Sequence, residues 1–435
     1  MKPERSSQIG ADIYQLAADL FPINRSLTGQ GVRDSLDLLK AHVPLEVHAV
    51  PSGTKVLDWT VPKEWNIRDA WLKDPSGKTV ISLSDHSLHV MGYSTPVHAV
   101  MPLDALEKHL HSRPDQPELI PYRTGYYADT WGFCLSQTMR DSLPDGDYEV
   151  MIDATLSDGV LNYGEFFHQG ETDEEVVMTT HCCHPSLAND NCSGMAMLAY
   201  IARQVSHIKT KFSYRFLWLP GTIGAITWLA DNEERIRNIR HGLVVTGVGD
   251  ASAPTYKRSR SGRSYVDRAI SRLLSHRYDD AKILEFTPYG YDERQFNSPG
   301  YNLDFGLLQR SEYATFPQYH TSADNLDFIS PEHLADSFEL IYGLIDMLES
   351  DCRPINKVAK GEPQLGKRGL YAAIGGNADG YDAKLTMLWV LNLADGEHSL
   401  LDMAERAGVD FDTVLKTAEL LAEHGLLSGM PAARS

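Results

Sequence analysis

Long apolar runs are missing from this chain of 435 residues. No stretch approaches the ~18 consecutive apolar residues of a membrane span. The opening segment MKPERSSQIGADIYQLAADLFPINRSLTG has neither the long apolar core nor the small-residue cleavage site of a secretory signal. Cysteine is sparse. The five present (Cys134, Cys182, Cys183, Cys192 and Cys352) are an odd number with one adjacent pair, poor material for a disulfide framework. A reducing, cytoplasmic setting is therefore expected. Positive charge is also short: 40 Lys and Arg stand against 59 Asp and Glu, a net charge of −19. That balance argues against a protein that mainly grips nucleic-acid backbone or anionic membrane. Internal repeats and low-complexity segments are absent.

What remains is globular in composition, with 42% hydrophobic and 23% charged residues. The length suits two to four domains of roughly 100–200 residues. Apolar residues at helical spacing predict a helix over residues 8–20 and a second from about Val32 to Ala41. From about Val43 to residue 155 the texture changes to short alternating runs such as KTVISL and YEVMIDA, broken by turn signals. This segment reads as mainly β, with one helix near Leu103–His111. Beyond Leu161 strands and helices alternate: EEVVMTTH, a helix over Ser193–Val205, FSYRFLWLP, a helix over Ile226–Ile239, then GLVVTGVG. That rhythm implies βαβ units and a mostly parallel sheet, with chemistry at the carboxyl ends of the strands. A last segment, from about Lys367, predicts helices over Lys384–Leu393, Ser399–Ala407 and Asp410–His424, with Gly425 as the final C-cap. Its pattern is helix-turn-helix, of winged type.

Three polar clusters can carry chemistry. In THCCHPSLANDNCSG a strand ends by presenting His181, and Asp190 follows at the start of a helix of small residues. An imidazole and a carboxylate together at a strand end are metal-site material, and the adjacent Asn residues suit supporting hydrogen bonds. The same residues also suit a loop histidine, buried thiols and a helix N-cap. The segment QYHTSADNLDFIS supplies Tyr319 and His320, a candidate third ligand. The segment GYDERQFNSPG supplies Asp292, Glu293 and Arg294, either a solvated turn or, if folding brings it beside the others, a source of carboxylates.

The strand-His…NDNxSG-helix pattern, followed far downstream by Tyr-His-Thr-Ser-x-Asp-Asn, resembles the zinc aminopeptidases of the leucyl-aminopeptidase and glutamate-carboxypeptidase type. More closely, the chain resembles bacterial polysaccharide biosynthesis proteins with an aminopeptidase-like domain, through NRSLTGxG, the DWxVPxEW stretch (Asp58–Trp65), HPSLANDN, DERQ and YHTSADN. The resemblance runs over essentially the whole length. It implies a phosphorylase/hydrolase-like α/β zinc-peptidase core over residues 1–45 and 156–366, a β-rich insert over 46–155 and a winged helix over 367–435. It assigns His181 and His320 as zinc ligands and Asp190 as the carboxylate that bridges two metals in two-zinc relatives. It also exposes a departure. Aminopeptidases carry a Glu-Glu pair after the next strand, where this chain has Gly221 and Thr222. At the following strand end Thr246 stands in place of an Asp ligand, with Asp250 a few residues on.

One zinc on His181, Asp190 and His320, with an open fourth position, fits that reduced set better than two. His184 is a reserve ligand or orienter, and Glu293 or Asp292 replaces the missing base. Arg258, within a short basic run, suits a substrate carboxylate or sugar acid. Arg294 and Tyr319 are the other candidates for substrate contact. The expected function is a zinc-dependent, aminopeptidase-like hydrolase of a peptide N-terminus or a small N-acyl compound such as an amino sugar. The rivals are a zinc-binding scaffold without turnover and a small-molecule-sensing regulator. The segment from Lys367 onward has six Lys and Arg against ten Asp and Glu, a balance of −4. This favours a protein partner or self-association over DNA.

Overall fold

The structure is a computed structural model that describes residues 3–370 and 378–431. Residues 371–377 and 432–435, which fall in the expected tail segment, lie outside the described residues. The chain divides into two compact units, one of residues 1–266 with 281–339 and one of 267–280 with 340–435.

The first unit opens with helices α1 (Pro3–Leu20) and α2 (Gln30–Lys40), followed by strand β1 (Glu46–Pro51). The next strands are β2 (Glu64–Lys73), β3 (Thr79–Ser82), β4 (Val97–Pro102), β5 (Asp147–Ser157) and β6 (Val160–His168). The alternating part follows: β7 (Glu175–His181), α3 (Gly194–Ser206), β8 (Ser213–Leu219), α4 (Ile223–Asp231), β9 (Ile239–Val245), β10 (Thr255–Lys257), α5 (Tyr265–Arg277), β11 (Lys282–Leu284), β12 (Phe305–Gln309) and α6 (Pro331–Ser350), of which α5 from Asp267 and α6 from Leu340 count in the second unit.

Eight strands form one sheet in the order β1-β6-β8-β7-β9-β12-β10-β11. Strands β8, β7, β9 and β12 run parallel at its centre. The flanking pairs β1/β6, β6/β8 and β10/β12 are antiparallel, so the sheet is mixed. Every residue of β7 and β8 is buried. Burial on both faces is why these strands do not alternate apolar and polar residues, and their buried Glu175 and Arg215 pair with each other. The parallel centre sends the ends of β7, β8 and β9 to one edge, which places His181, Gly221 and Thr246 near each other.

The segment between β1 and β6 builds a second, antiparallel sheet in the order β3-β2-β5-β4. Strand β5 alternates buried and less buried positions, the pattern of a half-covered sheet. The helix expected near Leu103–His111 is present as an α-helical turn (Leu103–Leu106) continued by a 3-10 turn (Glu107–His109), and it ends where the chain returns to extended backbone at Leu110. Similarly, the helix expected over Ile226–Ile239 runs over Ile223–Asp231. A turn intervenes and Ile239 already begins β9, so one apolar pattern served two elements.

In the second unit the tail contributes α7 (Ala378–Leu393), α8 (Leu400–Ala407) and α9 (Phe411–Glu423). Ser399 and Asp402 form a reciprocal capping box at the start of α8. Gly408, with φ of 73°, closes α8, and the Asp410 side chain caps α9. A left-handed residue at that turn suits glycine, which has no Cβ to clash. A short antiparallel pair of Ile355–Asn356 with Leu427–Ser428 completes the unit. Among the described residues no helix is long and apolar enough to cross a membrane.

Candidate metal centre

His181 is the last residue of β7 and is 3% exposed. Its ring is held at a fixed depth because Thr180 bonds the Val245 carbonyl at the end of β9 (2.7 Å). Asp190 comes from the irregular turn that leads into α3, also buried. Three imidazoles surround its carboxylate. Oδ1 lies 2.8 Å from His181 Nε2, while Oδ2 lies 3.1 Å from His320 Nε2 and 3.4 Å from His184 Nδ1. The nearest ligand atoms of His181, His184 and Asp190 all fall within 4.8 Å of one another.

Asp190 Oδ1 is shielded from solvent and has no hydrogen bond of acceptable geometry, despite its short approach to His181. Burial opposes its charge, yet His184 and His181 hold the Asp190 carboxyl well below the usual carboxylate range. An ionised, under-satisfied oxygen facing imidazole nitrogens is a donor set suited to a divalent cation. His181 and His320 are shifted down, chiefly by burial, and so favour the neutral form a metal needs. His184 behaves differently. Its Nδ1 faces the Asp190 carbonyl (3.1 Å), the Asp190 carboxylate and His181 Nε2 (3.3 Å). Burial works against its proton, but the Asp190 charge and hydrogen bonds outweigh that and raise its pKa. His184 also falls in the group with His181 and Asp190, so it suits a ligand as well as an orienter.

The supports are built from the two motifs. Asp324 accepts the backbone N–H of Asn189 (2.6 Å) and of Asp190 (2.9 Å), fixing the carboxylate's peptide. Even so, burial raises the Asp324 carboxyl to about 7. The Asn191 amide donates to Thr180 Oγ1 and the His181 carbonyl, and its oxygen accepts from Gly194 and Gly247. Asp250 is not at the cluster. Its oxygens are taken by Asn189, Ser311 and the Ser252 amide. Thr246 reaches only to 3.4 Å from His181 Nδ1.

The DERQ segment does come to the site. Tyr291 stacks on the His181 ring (5.0 Å between centroids, 13° between planes). A Cβ built on Gly221 would lie 3.3 Å from His181 Cβ and 3.6 Å from both Asp292 carboxylate oxygens. Asp292 therefore stands where a side chain at position 221 would project. Burial and the neighbouring Glu293 raise the Asp292 carboxyl to about 7. Glu293 is the weaker of the two candidate bases. Its Oε1 is 2.7 Å from Lys257 Nζ in a pair with 0% and 1% side-chain exposure. Lys257, the residue before Arg258 in the basic run, is this buried partner. Arg258 contacts the Gly262 carbonyl and lies 3.8 Å from Glu285. None of those contacts is with the cluster. Tyr319 stacks on His320 (3.9 Å, 10°). Arg294 donates to Thr222 Oγ1 at 3.3 Å.

Sequence reasoning missed Tyr122. Its ring lies 5.0 Å from both His184 and His320. The inserted segment delivers it by pairing with the His320 loop: Tyr122 N–H donates to the His320 carbonyl (2.8 Å) and Ser322 N–H to the Ile120 carbonyl (2.9 Å). His320 has a φ of 55°, an uncommon conformation for a side-chain-bearing residue, and these bonds help hold it there.

Comparisons with known proteins agree with this architecture. The profile of a domain of unknown function, DUF4910, matches residues 14–351, and a winged helix-turn-helix profile matches 353–429. A polysaccharide biosynthesis protein with aminopeptidase-like domain from Clostridium acetobutylicum is 49% identical over 424 residues, 98% of each chain. The chain belongs to that family. A crystal structure named for a peptidase of the same organism matches with a TM-score of 0.93 and 47% identity over 98% of each chain. The zinc aminopeptidase BSAP of Bacillus subtilis shares the fold (TM-score 0.58, 15% identity, 82% of this chain and 96% of that one). The core of the family member described here is thus a zinc-peptidase-like α/β fold, with a mixed sheet and a C-terminal winged helix.

Proposed function

We propose that this chain is a zinc-dependent hydrolase of amide bonds, acting on a peptide N-terminus or a small N-acyl compound. The observation that carries the reading is the convergence on Asp190 of three imidazoles, two from its own motif and one, His320, from 130 residues downstream, with Asp292 beside His181. His181, Asp190 and His320 would hold one ion, and His184 would keep its Nδ1 proton on the Asp190 carbonyl. A bound zinc supplies a Lewis acid that polarises a carbonyl and acidifies water.

The chain's own residues do the rest. Asp292 takes a proton from the attacking water and passes it to the departing amine nitrogen. Its raised pKa makes it a better proton carrier near neutral pH than an ordinary aspartate. Tyr291 and Tyr319 hold the rings of His181 and His320 in plane, and Tyr122 closes the insert side against water. Lys257 and Glu293 anchor the DERQ segment from below, a positioning role. A cytoplasmic location accords with five free cysteines, four of them buried. The winged helix is read as a protein-interaction or self-association module.

One feature favours a second reading. Gly221 and Thr222 replace the usual Glu pair, which suits a zinc-binding scaffold without turnover. Zinc-loaded full-length protein assayed on amino-acid p-nitroanilides and N-acetyl sugars separates the two. Metal-dependent product that is lost in His181→Ala supports the hydrolase. Bound zinc without product over the whole panel supports the scaffold.

A further inference from the structure

The basic group best placed to read a substrate is not in the run around Arg258. Arg294 is half-buried, two residues beyond Asp292, and its guanidinium rests over the Tyr289 ring at 5.7 Å. Its one side-chain hydrogen bond, to Thr222 Oγ1, is long at 3.3 Å. Its Nε is shielded from solvent and has no acceptor. Among the described residues no carboxylate lies within ion-pair distance of it. Asp292 and Glu293 attract it from a distance without pairing, and the acids around it are committed elsewhere: Glu293 to Lys257, Asp190 to the histidines and Asp324 to two backbone amides. Thr222 follows Gly221, which borders both His181 and Asp292.

A half-buried guanidinium without an ion-pair partner, beside the reacting centre of a chain with net charge −19, is a cation kept available. Its planar fork matches a carboxylate in two parallel hydrogen bonds, which a shielded and unpaired N–H would complete. We infer that Arg294 selects amide substrates that carry a carboxylate close to the scissile bond. The inference rests on the hydrolase reading and deepens it. Two sources offer that chemistry, an acidic amino-acid residue and a carboxylated amino sugar.

The test compares matched pairs on the zinc-loaded full chain: glutamyl against glutaminyl p-nitroanilide, and N-acetylmuramic acid against N-acetylglucosamine. In one pair or the other, kcat/KM for the acidic member should exceed that for the neutral one by tenfold or more, and the favoured pair identifies the source. In Arg294→Gln that ratio should fall to near one, and Arg294→Lys should recover part of it. Turnover without acidic preference, or a ratio unchanged in Arg294→Gln, overturns the inference while leaving the hydrolase reading intact. If zinc binds and no amide is cleaved, the hydrolase reading fails. Calorimetry with glutamate γ-methyl ester hydroxamate and free glutamate hydroxamate then decides the inference. Tenfold tighter binding of the acidic hydroxamate, lost in Arg294→Gln, sustains it, and equal or absent binding overturns it.

Discussion

The Asp292 carboxylate faces Gly221, with both of its oxygens 3.6 Å from where a Cβ at that position would sit. The missing glutamate and the gained aspartate thus compete for one place. Asp292→Asn should lower kcat by about 10²–10⁴-fold with zinc content unchanged, as expected when a proton carrier is lost. Restoring the ordinary residue with Gly221→Glu alone should not raise activity, because the new carboxylate would be driven against Asp292. Steady-state rates with metal analysis by atomic absorption check both outcomes.

Asp292 should also show in the pH dependence of the metal-free protein. Its folded pKa of about 7 is above the ~3.9 of an unfolded aspartate. The neutral form therefore favours folding. Its contribution is fully present below about pH 4 and is lost as the pH rises through 7. Asp292→Asn should match the parent in stability near pH 4 and exceed it by on the order of 3 kcal/mol at pH 8. Urea unfolding in the presence of a chelator measures this, and a gap that does not grow with pH contradicts it.

The Lys257–Glu293 pair is buried on both sides. Removing one partner strands a charge, so Lys257→Met should cost about 3–5 kcal/mol. Lys257→Met combined with Glu293→Gln should recover much of that. Gly290 belongs to the same unit: a Cβ there would lie 2.1 Å from Glu293 Oε1, so Gly290→Ala should also destabilise. A double-mutant cycle read by chemical denaturation tests the coupling.

Asp324→Ala frees the amides of Asn189 and Asp190 without touching the proposed ion. Zinc affinity should fall about 10–100-fold, the usual cost of losing a group that orients a ligand. Competition with a fluorescent chelator gives the number.

The exposed residues of α9 include Asp412, Lys416, Glu419 and Glu423, three acids to one base. That surface repels phosphate. No salt-dependent mobility shift with duplex DNA is expected from the full chain at physiological ionic strength.

Much of the architecture was legible because it is local. The buried runs of β7 and β8, the capping Ser399 and the closing Gly408 each declare their element within a few residues. The gathering of His181, Asp190 and His320 was legible because HPSLANDN and YHTSADN are specific. The rest depended on distance in sequence. Tyr122 reaches the histidines only because residues 120–122 pair with residues 320–322, some two hundred positions away, and nothing near Tyr122 marks it. The burial of Lys257 has no local signal because its partner, Glu293, lies 36 residues on, beyond a helix.

The central claim is that His181, Asp190 and His320 share one divalent ion. Zinc-soaked crystals measured at the zinc absorption edge test it directly. The account predicts a single anomalous peak about 2.0–2.2 Å from His181 Nε2, His320 Nε2 and an Asp190 carboxylate oxygen. No peak there, or one that engages His184 and leaves His320 unbound, would contradict it.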